Sequence, residues 1–414
     1  MFTLSRRAAP NEFGLPSVMM SDMNMSLRDG FGALIASKMP ATSTPTSVPL
    51  ALALTAASPG STAKASDSHQ DDSSNVPART ATMEGIVFSV AQSVSLVLAV
   101  SRDHYLRAWS KKDGALVFKM RTPLNQKACT VAVQGRLAAF GTGGGYIFLV
   151  DLSSATVLHS IQGHKYTVRS VIFNGDEIIS GGGMRDRTIC VWNKVSGRET
   201  LRIDMKVVAR NRSATVMSLA AHGNLLVAGL DDETMRIFDR VSGDPRHTLT
   251  EAAGPVCGVA IDAQRLVSGS YDKKVRVYVV PSFELVYTLE GHTDGVRSVA
   301  LEDDLIVSGS TDKTVRVWDA RSGAILRVLR GHSESVFSVS LCGSEIVSGC
   351  LDSKVHVWDA DSGSLKHVLN GTETVRPIAD DLGPMIEIGG TEEAKVTSRE
   401  QLNLDRCDFS CLIL

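Results

Sequence analysis

Ser, His and Asp are the side chains of a nucleophilic triad, and this 414-residue chain carries them repeatedly, each time with a Trp close behind. His292, Ser308, Asp312 and Trp318 form one set, His332, Ser348, Asp352 and Trp358 a second, and His164, Ser180, Asp186 and Trp192 a third. The first two sets share spacings of 16, 4 and 6 residues, and the third has two extra residues between its Ser and its Asp. A hydrolase needs one such constellation, defined by geometry and roles rather than by composition. Three copies at nearly fixed spacing argue for a structural device and against a catalytic centre.

The surrounding sequence repeats as well. VSGSTDKTVRVWDARSG (307–323) returns as VSGCLDSKVHVWDADSG (347–363), VSGSYDKKVRVYVVPSF (267–283), VAGLDDETMRIFDRVSG (227–243) and ISGGGMRDRTICVWNKVSG (179–197). Weaker copies are LAVSRDHYLRAWSKKDG (98–114) and AFGTGGGYIFLVDLSSA (139–155). The large residue near the end of each copy falls at Trp109, Val150, Trp192, Phe238, Tyr278, Trp318 and Trp358, at steps of 41, 42, 46, 40, 40 and 40 residues. A period near 40 marks a repeat architecture. Each unit holds four short Val- and Ile-rich runs separated by Gly, Asp and Ser turns, for example VRSVAL, LIVSGS, TVRVWDA and ILRVLR in 296–329. Such runs predict an antiparallel meander. A lone four-stranded unit would leave two apolar faces wet. Seven units stacked radially bury both.

With GH at 163–164, 291–292 and 331–332, and WD at 318–319 and 358–359, the repeats resemble the WD40-repeat β-propeller family. The resemblance implies an all-β, seven-bladed WD40-type β-propeller over 83–371. It also implies a hydrogen-bond chain in each tetrad from Trp indole N–H to Ser hydroxyl to His to Asp. The other blades depart from the pattern. Blade 5 keeps Ser268 and Asp272 with Tyr278, blade 4 keeps Asp232 with Phe238, blade 1 keeps Asp103 and Trp109, and blade 2 keeps none. These four are expected to depend on apolar packing and to be the softer half of the ring.

The resemblance also implies a peptide-binding rim, on the side that carries the His loops and Asp turns. One slot lies early in each first strand and holds Phe88, Cys129, Arg169, Met217, Cys257, Arg297 and Phe337. A second precedes the turn Asp and includes Arg102, Arg185, Asp231, Tyr271, Thr311 and Leu351. Phe88, Arg102, Arg169, Arg185, Tyr271, Arg297 and Phe337 are the candidate contacts. Arg offers a planar fork of donors to a carboxylate or phosphate, and aromatics supply anchor area. The plainer alternative is that Arg in VRSV and Lys in DKT, such as Lys313, are solubilising filler.

These features predict a non-enzymatic, monomeric protein-interaction scaffold or adaptor. It would need no catalytic residue, cofactor or metal, and its partners would be proteins or peptides, acidic or phosphorylated ones included. The alternative is a substrate receptor of a cullin-type ubiquitin ligase. Its support is short strand connections similar to those of F-box-type receptors, and a run ending in WDxR at Arg321 that resembles an adaptor-docking box. The 43 basic and 45 acidic residues leave a net charge of −2, so charge gives no reason to expect a nucleic-acid partner. Seven cysteines, an odd number with no CxxC pair, fit a reduced, cytoplasmic setting.

Two tails flank the repeats. Residues 1–80 are rich in Ala, Ser, Thr and Pro, with no Phe, Tyr or Trp from 32 onward, and are expected to be disordered. Residues 372–414 form a mostly irregular tail ending in Cys411-Leu412-Ile413-Leu414, which resembles a CaaX box whose final Leu favours geranylgeranyl. One prenyl chain anchors only marginally, and Cys407 is the candidate for a second, palmitoyl signal. The expected outcome is partial membrane partition in eukaryotic cells that Cys411→Ser abolishes. Intact-mass analysis showing an unmodified C-terminus would overturn it.

Overall fold

The computed structural model describes residues 85–205, 214–371, 374–376 and 378. The tail expectations, Cys407 and Cys411 among them, concern residues outside this set. The described chain forms 28 strands in seven sheets, each built from four consecutive antiparallel strands. It is a seven-bladed β-propeller.

Blade 6 shows why the sequence folds this way. Its strands are Val296–Glu302, Leu305–Ser310, Val315–Asp319 and Ile325–Leu329. The first three are buried along nearly their whole length, because neighbouring blades cover both faces. A strand covered on both faces needs no polar alternation, hence runs such as LIVSGS. The outermost strand is largely exposed, with Leu329 at its end buried. Antiparallel register sets Ser308 opposite Arg316 and Ile306 opposite Trp318. Side chains alternate faces, so Ser308, Arg316 and Trp318 share one. His292 precedes the first strand and Asp312 sits in the turn after the second, and the Thr311 amide donates to the Gly295 carbonyl at 2.9 Å, tying that turn to that loop.

The first strands of successive blades pack around a closed circle, that of blade 7 against that of blade 1. Among the described residues no strand is exchanged across this seam, since every sheet is made of sequence-consecutive strands. An apolar cluster joins Val87, Val90, Val97 and Trp109 to Val347, Val355, Val357 and Leu369. Across the same seam the Val90 amide donates to Ser338 Oγ at 3.1 Å, Gln92 Nε2 donates to the Glu345 carbonyl at 3.1 Å, and Lys111 pairs with Glu345 at 3.1 Å. Beyond the last strand, the Arg376 amide donates to the Leu116 carbonyl of blade 1 at 2.9 Å.

The serine-to-amide bond recurs between other blades. Ser89 accepts from the Val131 amide at 3.2 Å, Ser218 from Val259 at 3.0 Å and Ser298 from Val339 at 3.1 Å. Blade 5 has Gly258 at this place. A Cβ there would stand 2.8 Å from the Val299 backbone nitrogen and 2.9 Å from the Ser298 Cα, so blade 6 packs directly on the bare backbone. Gly258→Ala should therefore cost about 1–3 kcal/mol through overpacking. Gly143→Ala, whose Cβ would find its nearest atom 3.9 Å away, should change stability much less. Equal unfolding midpoints in urea for the two variants would contradict this.

Candidate functional site

Each tetrad spans a loop, a turn and two strands. In blade 6, Trp318 Nε1 donates to Ser308 Oγ at 2.9 Å, His292 Nε2 meets the same oxygen at 2.8 Å, and His292 Nδ1 lies 2.8 Å from Asp312 Oδ2. Blade 7 gives 2.9 Å for Trp358 to Ser348, 2.7 Å for His332 to Ser348 and 3.4 Å for His332 to Asp352. In blade 3, Trp192 and His164 each meet Ser180 Oγ at 2.8 Å, while His164 Nδ1 and Asp186 are 3.4 Å apart. There Thr188 bridges them, 3.1 Å from the ring and bonded to the carboxylate. Thr314 Oγ1 likewise donates to Asp312, at 2.6 Å. These threonines belong to the network as much as the tetrad residues do.

Burial holds His292 below its ordinary value, so at neutral pH its imidazole is uncharged and bonds Asp312 as a hydrogen-bond donor. Burial pushes the Asp312 carboxyl up, but the bonds from His292 and Thr314 more than reverse this and leave it well below the usual carboxylate range. Asp186 and Asp352 are held down in the same way.

The blades without a tetrad are not held by apolar packing alone. In three of them an Arg four residues after the turn Asp reaches back to it: Arg107 to Asp103 at 2.5 Å, Arg236 to Asp232 at 2.8 Å and Arg276 to Asp272 at 2.6 Å. All three guanidinium side chains are buried. A guanidinium here does what the imidazole does elsewhere, neutralising the turn carboxylate from within the blade. Only blade 2, with a Gly143-Gly144 turn, lacks a turn carboxylate; it stacks Phe140 on Phe148 at 5.2 Å. In blade 1, Ala99 stands in the place of the tetrad Ser, and Trp109 Nε1 has no partner among the described residues.

The first-strand slot is a geometric feature. Register shifts fall between Val87 and Ser89, Ala128 and Thr130, Val168 and Ser170, Val216 and Ser218, Val256 and Gly258, Val296 and Ser298, and Val336 and Ser338. Phe88, Cys129, Arg169, Met217, Cys257, Arg297 and Phe337 are thus the residues left out of the ladder, and a bulge re-aims such a side chain. Arg297 lies 5.0 Å from the Tyr271 ring centre and 4.3 Å from that of Phe337, so blades 5, 6 and 7 meet in one stack. Its Nε also donates to Thr311 Oγ1 at 3.3 Å. Burial pushes the Cys257 thiol up to about 11, with the charges of Arg297 and Arg169 pulling the other way. Arg169 is half-buried and makes no ion pair among the described residues. Arg102 and Arg185 are exposed in their turns, and Arg185 stacks on Tyr166 at 5.9 Å rather than joining the Arg297 cluster. Phe88 is half-buried at the blade 1 bulge. On the opposite rim, the Arg321 guanidinium takes both carboxylate oxygens of Asp304, at 2.7 and 2.6 Å.

A closed ring of seven four-stranded meanders, pinned by polar bonds between its loops and turns, defines a propeller built of repeats. The WD domain, G-beta repeat family matches at residues 155–193, 243–278, 283–319 and 323–359, and the chain belongs to the WD40-repeat β-propellers. Among solved structures it is similar to the WD40 β-propeller domain of Doa1, with 26% identity over 67% of this chain and 95% of that one and a TM-score of 0.57. It is also similar to the computationally designed Ika8 protein, with 23% identity over 71% of this chain and 90% of that one and a TM-score of 0.56, a likeness of fold alone. No curated protein matches the chain.

Asp312→Ala should cost about 1–3 kcal/mol by stranding the His292 donor. Asp272→Ala should cost at least as much, about 3–5 kcal/mol, because it leaves a buried guanidinium unpaired. A markedly smaller loss at Asp272 would refute the Arg–Asp substitution. Because Asp312 is held below its ordinary value, its contribution is complete above about pH 4 and is lost on acidification. The Asp312→Ala variant should accordingly show a shallower decline in melting temperature than the parent below that pH.

Proposed function

We propose that this protein is a non-enzymatic scaffold whose loop-bearing rim binds an acidic or phosphorylated segment of a partner protein. The observation that carries the reading is Arg297, held between Tyr271 and Phe337, with Arg169 at the same bulge position in blade 3. A guanidinium fixed between two rings loses little freedom when it meets a carboxylate or phosphate. The aromatic faces offer anchor area to the residue beside the anion. The bulge at each first strand supplies seven side chains at one level of the ring, a pattern suited to reading an extended segment. The ligase-receptor alternative rests on Arg321, an exposed side chain that pairs with Asp304 on the opposite rim.

The test is an array of matched peptides in phosphorylated, acidic and unmodified forms, probed with the full chain. Binding should follow negative charge and weaken with salt. Arg169→Glu combined with Arg297→Glu should leave the melting temperature near that of the parent and weaken binding at least tenfold. A folded double variant that keeps the parent's peptide profile would rule this rim site out.

A further inference from the structure

Blade 7 carries a side-chain set that its neighbours lack. Cys350 ends the strand Glu345–Cys350, at the place where blade 6 has Ser310 and blade 3 has Gly182. Its sulfur, a ring nitrogen of His332 and a carboxylate oxygen of Asp352 lie within 4.8 Å of one another. All three are withdrawn from bulk water: Cys350 is fully buried, and the His332 and Asp352 side chains are 1% and 6% exposed.

Several details distinguish this group from the blade 6 tetrad. The His332 Nδ1 to Asp352 distance is 3.4 Å, against 2.8 Å for His292 and Asp312. His164 and Asp186 of blade 3 stand equally far apart, and the separation matches the edge of a tetrahedron whose nitrogen and oxygen ligands stand about 2.0–2.1 Å from a metal. Lys354 replaces the threonine of blade 6, so Asp352 Oδ1 receives only a backbone amide, at 3.1 Å. Cys350 Sγ accepts the Asp352 amide at 3.4 Å and donates to the Glu334 carbonyl at 3.1 Å, so a carbonyl oxygen also faces the sulfur. Against His332, at 3.9 Å between ring centres, stacks His356, whose buried Nδ1 has no partner among the described residues.

We propose that His332, Cys350 and Asp352 bind a zinc-class divalent cation through one nitrogen, one sulfur and one oxygen, with water completing the tetrahedron. The donor set is mixed and borderline-soft, which suits zinc better than the oxygen-seeking calcium or magnesium. On binding, the Cys350 S–H bond is replaced by a sulfur–metal bond; the electron pair stays on sulfur and the proton leaves to water. His332 turns its Nδ1 lone pair to the metal and donates from Nε2 to Ser348 Oγ, 2.7 Å away, which also accepts the Trp358 indole N–H at 2.9 Å. Ser348 and Trp358 would thus orient the ligand ring. The inference is independent of the peptide-binding reading.

The test uses the full chain, reduced and stripped with chelator, titrated with cobalt(II) as the probe. A near-ultraviolet thiolate-to-cobalt charge-transfer band should saturate at one equivalent and disappear on adding zinc. Cys350→Ser, which installs the residue blade 6 carries, should keep the fold and lose the band, while Cys257→Ser should keep it. Asp352→Asn, which leaves the thiol in place, should weaken cobalt binding at least tenfold. Absence of the band in the parent, its persistence in Cys350→Ser, or unchanged affinity in Asp352→Asn would each overturn the site.

Discussion

A four-stranded sheet that is apolar on both faces has no stable existence in water by itself. Everything in this protein follows from that constraint. Each blade lends one face to the blade before it and one to the blade after, and the row of blades satisfies its ends only by meeting them. The seam between blades 7 and 1 is built from valines in contact, a serine accepting a neighbour's amide, as at three other seams, and the Lys111–Glu345 ion pair. Among the described residues closure depends on matching surfaces, each sheet being made of four consecutive strands.

Within that frame the polar residues solve a local problem. The turn after each second strand must be held against the loop that enters the first, or the blade would fray at its rim. Six blades place an Asp in the turn. Three meet it with an imidazole that is itself held by a Ser and a Trp, and three with a guanidinium from the third strand. The two solutions differ in kind. The first is a relay of side-chain hydrogen bonds that ends on the carboxylate. The second buries a full pair of charges, which stabilises only while both partners are present. Apolar packing without a turn carboxylate is left to blade 2, where the glycine turn makes no such demand.

The fold was legible in the sequence because a 40-residue period repeats one pattern of strands and turns, and the pattern survives in the weak copy of blade 1 through Trp109 and Asp103. The rim slot could be located because it keeps a constant offset from the repeat. Less was legible where two residue types do the same work. Arg107, Arg236 and Arg276 recur four places after an Asp, yet Arg316 stands at the same offset in a blade that already has its His292 and lies over the Trp318 ring instead, so spacing alone does not identify a buried pair. Thr188 and Thr314 passed as ordinary turn residues. The stacking of Arg297 between Tyr271 and Phe337 joins three repeats and has no signature inside any one of them.

The serine-to-amide bond that closes the ring joins residues 248 positions apart in the chain. A ribosome adding roughly 5–20 residues per second needs about 12–50 s to synthesise that interval. Throughout that time the face of blade 1 that will meet blade 7 is complete, apolar and without its cover. A nascent propeller is therefore an open crescent with one sticky end, and its hazard during synthesis scales with the length of the ring rather than with the stability of any blade. Protection from neighbouring nascent chains must come from outside the ring until Ser338 has been made.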